Sequence, residues 1–355
     1  MANWLPIDKS ARRGVGAAIG AAALFGASTP FAKRIVGDMS PAVLAGLLYL
    51  GSGVGLWLAR IVRDRGFAPT QMSPAEWPWL GGAILFGGVL APLLLMLGLA
   101  HTSGADASLL LNLEAVLTAL LAWVVFRENA DRRIVFGMAL IVAGGLVLAW
   151  PRGVENTNPI GMLWIAGACL CWAIDNNLTR KVSASDAMFI AATKGLVAGA
   201  INLALGLLVG GALPGISIVL DAMTIGLVGY GISLVLFVLA LRGLGSARTG
   251  AYFSTAPFIG AVLAIALFHD AATPAFWIAA ALMASGVWLH LTERHEHEHA
   301  HEAMTHGHSH RHDAHHQHEH AFPWDGREPH AHEHHHEPTT HTHAHYPDVH
   351  HRHDH

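Results

Sequence analysis

Glu114 lies nine residues into the apolar run 105–126. At a rise of ~1.5 Å per residue that is about 14 Å deep, near the middle of a hydrocarbon layer ~30 Å thick. A lone charge there costs at least ~2.5–3.5 kcal/mol, so it faces a cavity or a partner. A carboxylate so placed can carry a proton or touch a solute; the alternative is a neutral structural acid bonded to a neighbouring helix. Thr118 shares its helical face, whereas Asn112 is close in sequence but points elsewhere. Lys194 in run 187–209 and Asp175 near the end of run 159–179 are the other intramembrane charges. Lys194 sits about 10 Å from its helix start at ~1.5 Å per residue, so snorkelling or pairing with Asp175 is favoured over solute contact. The polar triplet Asp175-Asn176-Asn177 either lines a cavity or caps a helix end near water. Trp172 and Tyr252 either wall a cavity or pack and anchor. Pro92 frees a carbonyl in its span.

A second chemistry sits after residue 291. Residues 292–355 hold 24 of the 27 histidines, interleaved with acids. The candidate ligands are His295, His297, His299, His301, His306, His308, His310, His312, His315, His316, His318, His320, His330, His332, His334, His335 and His336. Neutral imidazole binds zinc, nickel, cobalt and copper, and it dominates at cytoplasmic pH because its reference pKa is ~6.5. Apolar residues are too few for a core, so the tail is expected to be disordered when empty. Metal binding is the reading its composition favours, against a merely solvated tail. His101 and His269 stand alone on short connections and form no ligand set.

The elements that position these residues are membrane helices. The chain is 53% hydrophobic and 13% charged, against ~25% charged in soluble proteins. Ten apolar runs are marked, at about 15–35, 41–60, 77–99, 105–126, 133–150, 159–179, 187–209, 222–241, 247–268 and 274–291. Each is near the ~20 residues that cross a bilayer, and in lipid such runs must be helices. The first run is not read as a cleaved signal, because Pro30, Lys33 and Arg34 follow its core and it has a counterpart in the sixth. With the N-terminus inside, thirteen Lys and Arg of the connecting segments fall inside and three outside, so both termini are expected in the cytoplasm. Lys33-Arg34 is the discordant place. Cys169 and Cys171, two apart on one helix, are read as packing residues.

The two halves repeat. NLEAVLTALLAWVVFRE at 112–128 returns as STAPFIGAVLAIALFHD at 254–270, offset by 142. Ala119/Ala261, Leu121/Leu263, Ala122/Ala264 and Phe126/Phe268 are identical, and an acid, Glu128 or Asp270, closes each copy. Each copy is the fourth of five runs in its half. Five is odd, so the second copy crosses with opposite polarity, as in many secondary transporters. The Gly16/Gly20, Gly51/Gly55 and Gly195/Gly199 spacings suggest close helix contacts.

Residues 15–291 resemble the EamA type of the drug/metabolite transporter superfamily. The resemblance is carried by GLAHTSGADASLLLNLEAVLTALLAWVVFRE in the first half and ALRGLGSARTGAYFSTAPFIGAVLAIALFHD in the second. Pro257 stands where that family has proline; Ala115 in the first copy does not. The resemblance implies two five-helix bundles, a central cavity, and movement of small solutes by alternating access.

The expected architecture is therefore an all-α polytopic membrane protein. It comprises an N-terminus 1–14, five-helix repeats 15–152 and 153–291 in inverted orientation, and a tail 292–355. The expected activity is export of small organic metabolites or drugs across the cell membrane, with a metal-binding tail that buffers or regulates. A divalent-metal transporter is the alternative, disfavoured because no histidine lies in the middle of a span; a membrane-anchored metal store ranks third. The partners are lipid, a small solute and a divalent metal on the tail, with no nucleic acid and no obligatory cofactor. No nucleotide loop, triad spacing or soluble catalytic domain points to an enzyme.

Overall fold

The computed structural model describes residues 9–67, 70, 72–126, 132–150, 159–182, 185–291, 295–301, 304–310, 330–336 and 339–345. The helices are α1 (Lys9–Ile35), α2 (Pro41–Asp64), α3 (Trp77–Ala83), α4 (Ala91–His101), α5 (Gly104–Leu110), α6 (Leu113–Phe126), α7 (Arg132–Ala149), α8 (Pro159–Val182), α9 (Ala187–Leu208), α10 (Ile216–Ile225), α11 (Ser233–Phe253), α12 (Ala256–Phe268) and α13 (Pro274–Leu291). Among the described residues, seven helical segments are long and apolar enough to cross a membrane; Val135–Ala149, Ala256–Phe268 and Pro274–Leu289 are shorter apolar helices. Local chemistry fixes several ends. The Ser40 hydroxyl accepts from Val43 N–H at 3.4 Å with Pro41 beginning α2, the usual N-cap arrangement. Asp186 caps α9 through Met188 N–H at 3.0 Å.

The repeat seen in the sequence is also a repeat of backbone defects. A π-helical turn at Ile84–Leu90 joins α3 to α4, and another at Gly226–Ile232 joins α10 to α11. They lie 142 residues apart at both ends. The same interval separates the bounds of α7 from those of α13, and the C-terminal end of α6 from that of α12. π-turns are rare and mark places where the i→i−4 ladder gives way, so a shared pair at this offset is strong evidence of a duplicated unit.

The halves interlock. α2 packs on α9 and α7 on α13, each helix on its counterpart, while α1 packs on α11 and α12 and α8 packs on α4 and α6. The first helix of each half thus joins the bundle of the other. Small residues let α2 and α9 meet closely: a Cβ on Gly195 would stand 2.5 Å from Gly53 N. Of the glycine spacings, Gly195/Gly199 seats on α2 and Gly51/Gly55 meets Met223 and Leu227, but Gly16 faces open space and Gly20 only touches the Leu236 side chain.

Three expectations are corrected. The run 105–126 is interrupted by a turn at Leu111–Asn112, which places Glu114 in the first turn of α6. The eighth and ninth runs do not separate near residue 245: α11 continues to Phe253, and the break falls at Ser254–Thr255. The two breaks occupy matching places in the halves, although only the second copy has a proline there. In the second, the Ser254 and Thr255 hydroxyls donate to Gly250 O and Tyr252 O at 2.9 and 2.7 Å, side-chain bonds that compete with the helical ladder. The tail, expected to be without regular structure, forms strands in its described parts. β1 (His295–His301) pairs antiparallel with β4 (Thr339–His345), and β2 (Met304–His310) with β3 (His330–His336). Histidine at alternate positions matches the strand period of two, and ladder pairing satisfies the backbone without a core. The fold is therefore helical up to Leu291 and includes strands beyond it. His312, His315, His316, His318 and His320 lie outside the described residues.

Candidate functional site

α8 carries Asp175 one residue ahead of Asn176, and the two side chains have different partners. Asp175 forms an ion pair with Lys194 of α9, both only about 5% exposed or less. Its other oxygen accepts the Thr179 hydroxyl at 2.9 Å. Lys194 therefore pairs instead of snorkelling. Two ions leave water together only when they neutralise each other and their remaining polar atoms are bonded. Gly87 in the first π-turn makes room: a Cβ there would run into Oδ2 of Asp175.

Asn176 instead donates to Oε1 of Glu114 at 2.8 Å. Glu114 sits at the start of α6, where unpaired amides and the helix dipole favour negative charge. This contact joins the mid-span acid of the first half to the polar triplet of the second. Asn177 turns back to Ala173 O at 2.9 Å. Asn112 is 2% exposed and donates to Leu109 O at 2.9 Å, while its Oδ1 and the Thr118 hydroxyl are buried with no hydrogen-bond partner among the described residues.

Pro92 explains the layer beneath the ion pair. It has no N–H to give to Gly88 O in an α-turn or to Gly87 O in a π-turn. Side chains fill both places. Tyr49 Oη and Trp172 Nε1 donate to Gly87 O at 2.7 and 3.2 Å, and Asn202 Nδ2 donates to Gly88 O at 3.1 Å. Phe25 meets the edges of Trp172 and Tyr230 at 5.8 Å each, and Tyr49 lies 5.4 Å from Tyr230. Of the two aromatics named from sequence, Trp172 belongs to this wall. No hydrogen bond or ring contact ties Tyr252 to it among the described residues. Tyr49, Asn202, Tyr230 and Phe25 are missed by sequence reasoning. Asn202, polar within an apolar run, carried the one usable signal.

The two membrane faces have their own charged contacts. At one end of the helices, Arg63 bridges Asp64 and Asp186 at 2.6 Å each. Arg60, 3% exposed, reaches Asp186 at 3.2 Å and lies over Trp57 and Phe189. Burial raises the Asp186 carboxyl, but hydrogen bonds from Arg63 and Arg60 overcome it, so that it is pushed down from 3.8 to about 2. At the opposite end Lys33 donates to Leu99 O at 2.6 Å and Asp270 accepts from Ala105 N–H at 2.9 Å. Pro30, Lys33, Arg34, Gly104, Phe268 and Asp270 line a cavity of about 170 Å³ there. Cys169 and Cys171 are free thiols. Among the described residues up to Leu291, no group of three or more His, Cys, Asp or Glu could hold a metal ion.

The profile of the EamA-like transporter family matches residues 12–150 and again residues 159–292. An uncharacterized transporter of Methanothermobacter thermautotrophicus is 26% identical over 288 residues, which covers 76% of this chain and 84% of that protein. The probable 4-amino-4-deoxy-L-arabinose-phosphoundecaprenol flippase subunit ArnE of Pseudomonas paraeruginosa is 41% identical over 113 residues, 30% of this chain and 92% of that one. A solved crystal structure with 21% identity superposes with a TM-score of 0.60 over 80% of this chain and 96% of its own. That likeness is one of fold alone.

Proposed function

From the premise that this chain belongs to the EamA-like transporter family, we propose that it exports small organic metabolites or drugs by alternating access. Ten spans, two inverted five-helix repeats and cytoplasmic termini are part of this reading, supported by the 142-residue structural offset and the Lys/Arg distribution. The observation that carries it is the Glu114–Asn176 contact beside the Asp175–Lys194 pair. Asp175 is neutralised by a cation. Glu114 is held by a neutral amide, which leaves its charge to be answered by a proton or a solute. An acid kept in an apolar bundle without a counter-ion is a functional group by default. Asn176, Thr118 and the Trp172 wall complete the contact surface.

The tail is read as an accessory that binds zinc, nickel, cobalt or copper near the inner mouth. Its β1–β4 and β2–β3 registers set His297 opposite His343 and His308 opposite His332, and directly opposed strand positions lie ~4.5–5.5 Å apart at Cβ. Metal transport itself is not favoured, since the mid-span inventory is Glu114, with Asp175 and the two cysteines off-centre and no imidazole in the middle of a span.

The reading is tested by reconstituting the full chain in liposomes and following a panel of labelled amino acids, amines, carboxylates and Zn²⁺. Proton-dependent movement of an organic solute supports it. Movement of Zn²⁺ alone would replace it with the metal-transporter reading.

A further inference from the structure

Asp270 is the acid that closes the second copy of the repeated segment, and the central site leaves it without a role. Its position is built deliberately. α12 ends on His269, one of two non-glycine residues with positive φ among those described, at φ 56° and ψ 34°. That left-handed conformation is disfavoured for a residue with a Cβ. It is held by His269 N–H to Ile265 O at 3.1 Å and Asp270 N–H to Ala264 O at 3.3 Å. The turn throws Asp270 sideways onto α5, where Oδ2 accepts the Ala105 N–H. A Cβ on Gly104 would stand 3.2 Å from the same oxygen, so a glycine lets the carboxylate approach.

This contact crosses the molecule. α12, of the second half, packs on α1 and also along α5 of the first half, which precedes α6 in the bundle entered by α8. A second crossing lies beside it: Lys33 of α1 donates to Leu99 O of α4. Both contacts border the cavity at the end away from the Arg63–Asp186 cluster. A cycle that exposes Glu114 first to one face and then to the other must part the two bundles at each face in turn. Opening this face by parting α12 from α5 breaks the bond between Asp270 and Ala105. Both its partners can take water in that state, so breaking it is compatible with reversible opening.

On the transport reading above, we propose that Asp270 is a positioning residue of the transport cycle: its bond to the Ala105 amide latches the outer mouth shut. Lys33 supports the closed arrangement from the neighbouring helix. The discordant Lys33-Arg34 is thereby explained as part of a mouth, and not as an error of topology.

The test reads accessibility. Thr29 lies one turn below Lys33 on α1 and is 1% exposed. Thr29→Cys is introduced with Cys169→Ser and Cys171→Ser, and right-side-out vesicles are treated with a membrane-impermeant maleimide. Asp270→Asn and, separately, Ala105→Pro are compared with the parent. The first weakens the acceptor. The second removes the donor and sets the proline ring where the N–H pointed, against the Asp270 carboxylate, so that the latch cannot close. Each variant should label at least about tenfold faster, as expected for loss of a charge-assisted hydrogen bond that biases a two-state equilibrium. Asp270→Glu should restore slow labelling, and the unfolding midpoints should match the parent, which separates gating from misfolding. Parent-like labelling in both variants would overturn the latch. If labelling then still responds to a transported solute, the transport reading survives without it. If labelling rises only in protein that has lost its unfolding transition, the latch is likewise overturned.

Discussion

The Glu114 carboxylate of the first half accepts the Asn176 side-chain amide of the second half across 2.8 Å. One residue away, Asp175 takes Lys194. Adjacent positions on α8 therefore separate two tasks. The ion pair fixes α8 to α9, and the amide holds an acid whose charge has no fixed counter-ion among the described contacts.

The fixing role predicts a stability pattern. Lys194→Met or Asp175→Asn alone leaves an uncompensated buried group and should cost about 3–5 kcal/mol. The double variant should cost clearly less than the sum, as coupled partners do. Chemical unfolding in detergent micelles measures all three, and additive losses would show that the pair does not act as a unit.

Gly87 supplies the space for that pair. Gly87→Ala should lose about 1–3 kcal/mol through overpacking against Asp175. Gly81→Ala in α3, where an added Cβ meets nothing within 4 Å, should be neutral or slightly stabilising. Equal thermal midpoints for both variants would contradict the packing described.

Much of this arrangement was legible in the sequence because the membrane makes polar residues conspicuous. Glu114, Asn176, Asp175 and Lys194 stood out against apolar runs, and Pro92 announced free carbonyls. The partners of those carbonyls were not legible. Tyr49 and Tyr230 look like ordinary span aromatics, and only the tertiary crossing of α2, α8 and the π-turn shows that Tyr49 reaches Gly87 O. The break at Leu111–Asn112 was hidden because no proline or glycine marks it. His269 looks in the sequence like a lone histidine on a short connection, since a left-handed cap on a histidine has no sequence signature. The tail misled in another way: composition argued against a core, but strands paired to one another need none.

Asp186 gives a prediction for pH. Its folded carboxyl lies near 2, below the ordinary 3.8. A depressed carboxylate contributes stability that is present above about pH 4 and is lost as pH falls through 2. The unfolding midpoint of the parent should fall across that window. Asp186→Asn, which removes the titrating group, should start lower at neutral pH and show a shallower fall. Identical slopes for the two proteins would remove Asp186 from the acid response.

The tail predicts a separable activity. Truncation after Leu291 should abolish retention on immobilised nickel and Zn²⁺ binding by calorimetry, while the helical protein keeps its unfolding transition. Unchanged Zn²⁺ stoichiometry after truncation would relocate the metal sites to the helices.

The central claim is that Glu114 carries the transport step. Glu114→Gln preserves shape and the chance of bonding Asn176 but removes the charge. In liposomes holding equal amounts of correctly inserted protein, proton-driven movement of an identified organic solute should fall at least about a hundredfold, the scale of a few kcal/mol of lost interaction. Its unfolding midpoint should stay within a few degrees of the parent, given that ~1 kcal/mol shifts even a smaller protein of about 150–250 residues by only about 2–4 °C. Parent-level transport with normal pH dependence in Glu114→Gln would contradict the account and return Glu114 to a purely structural role.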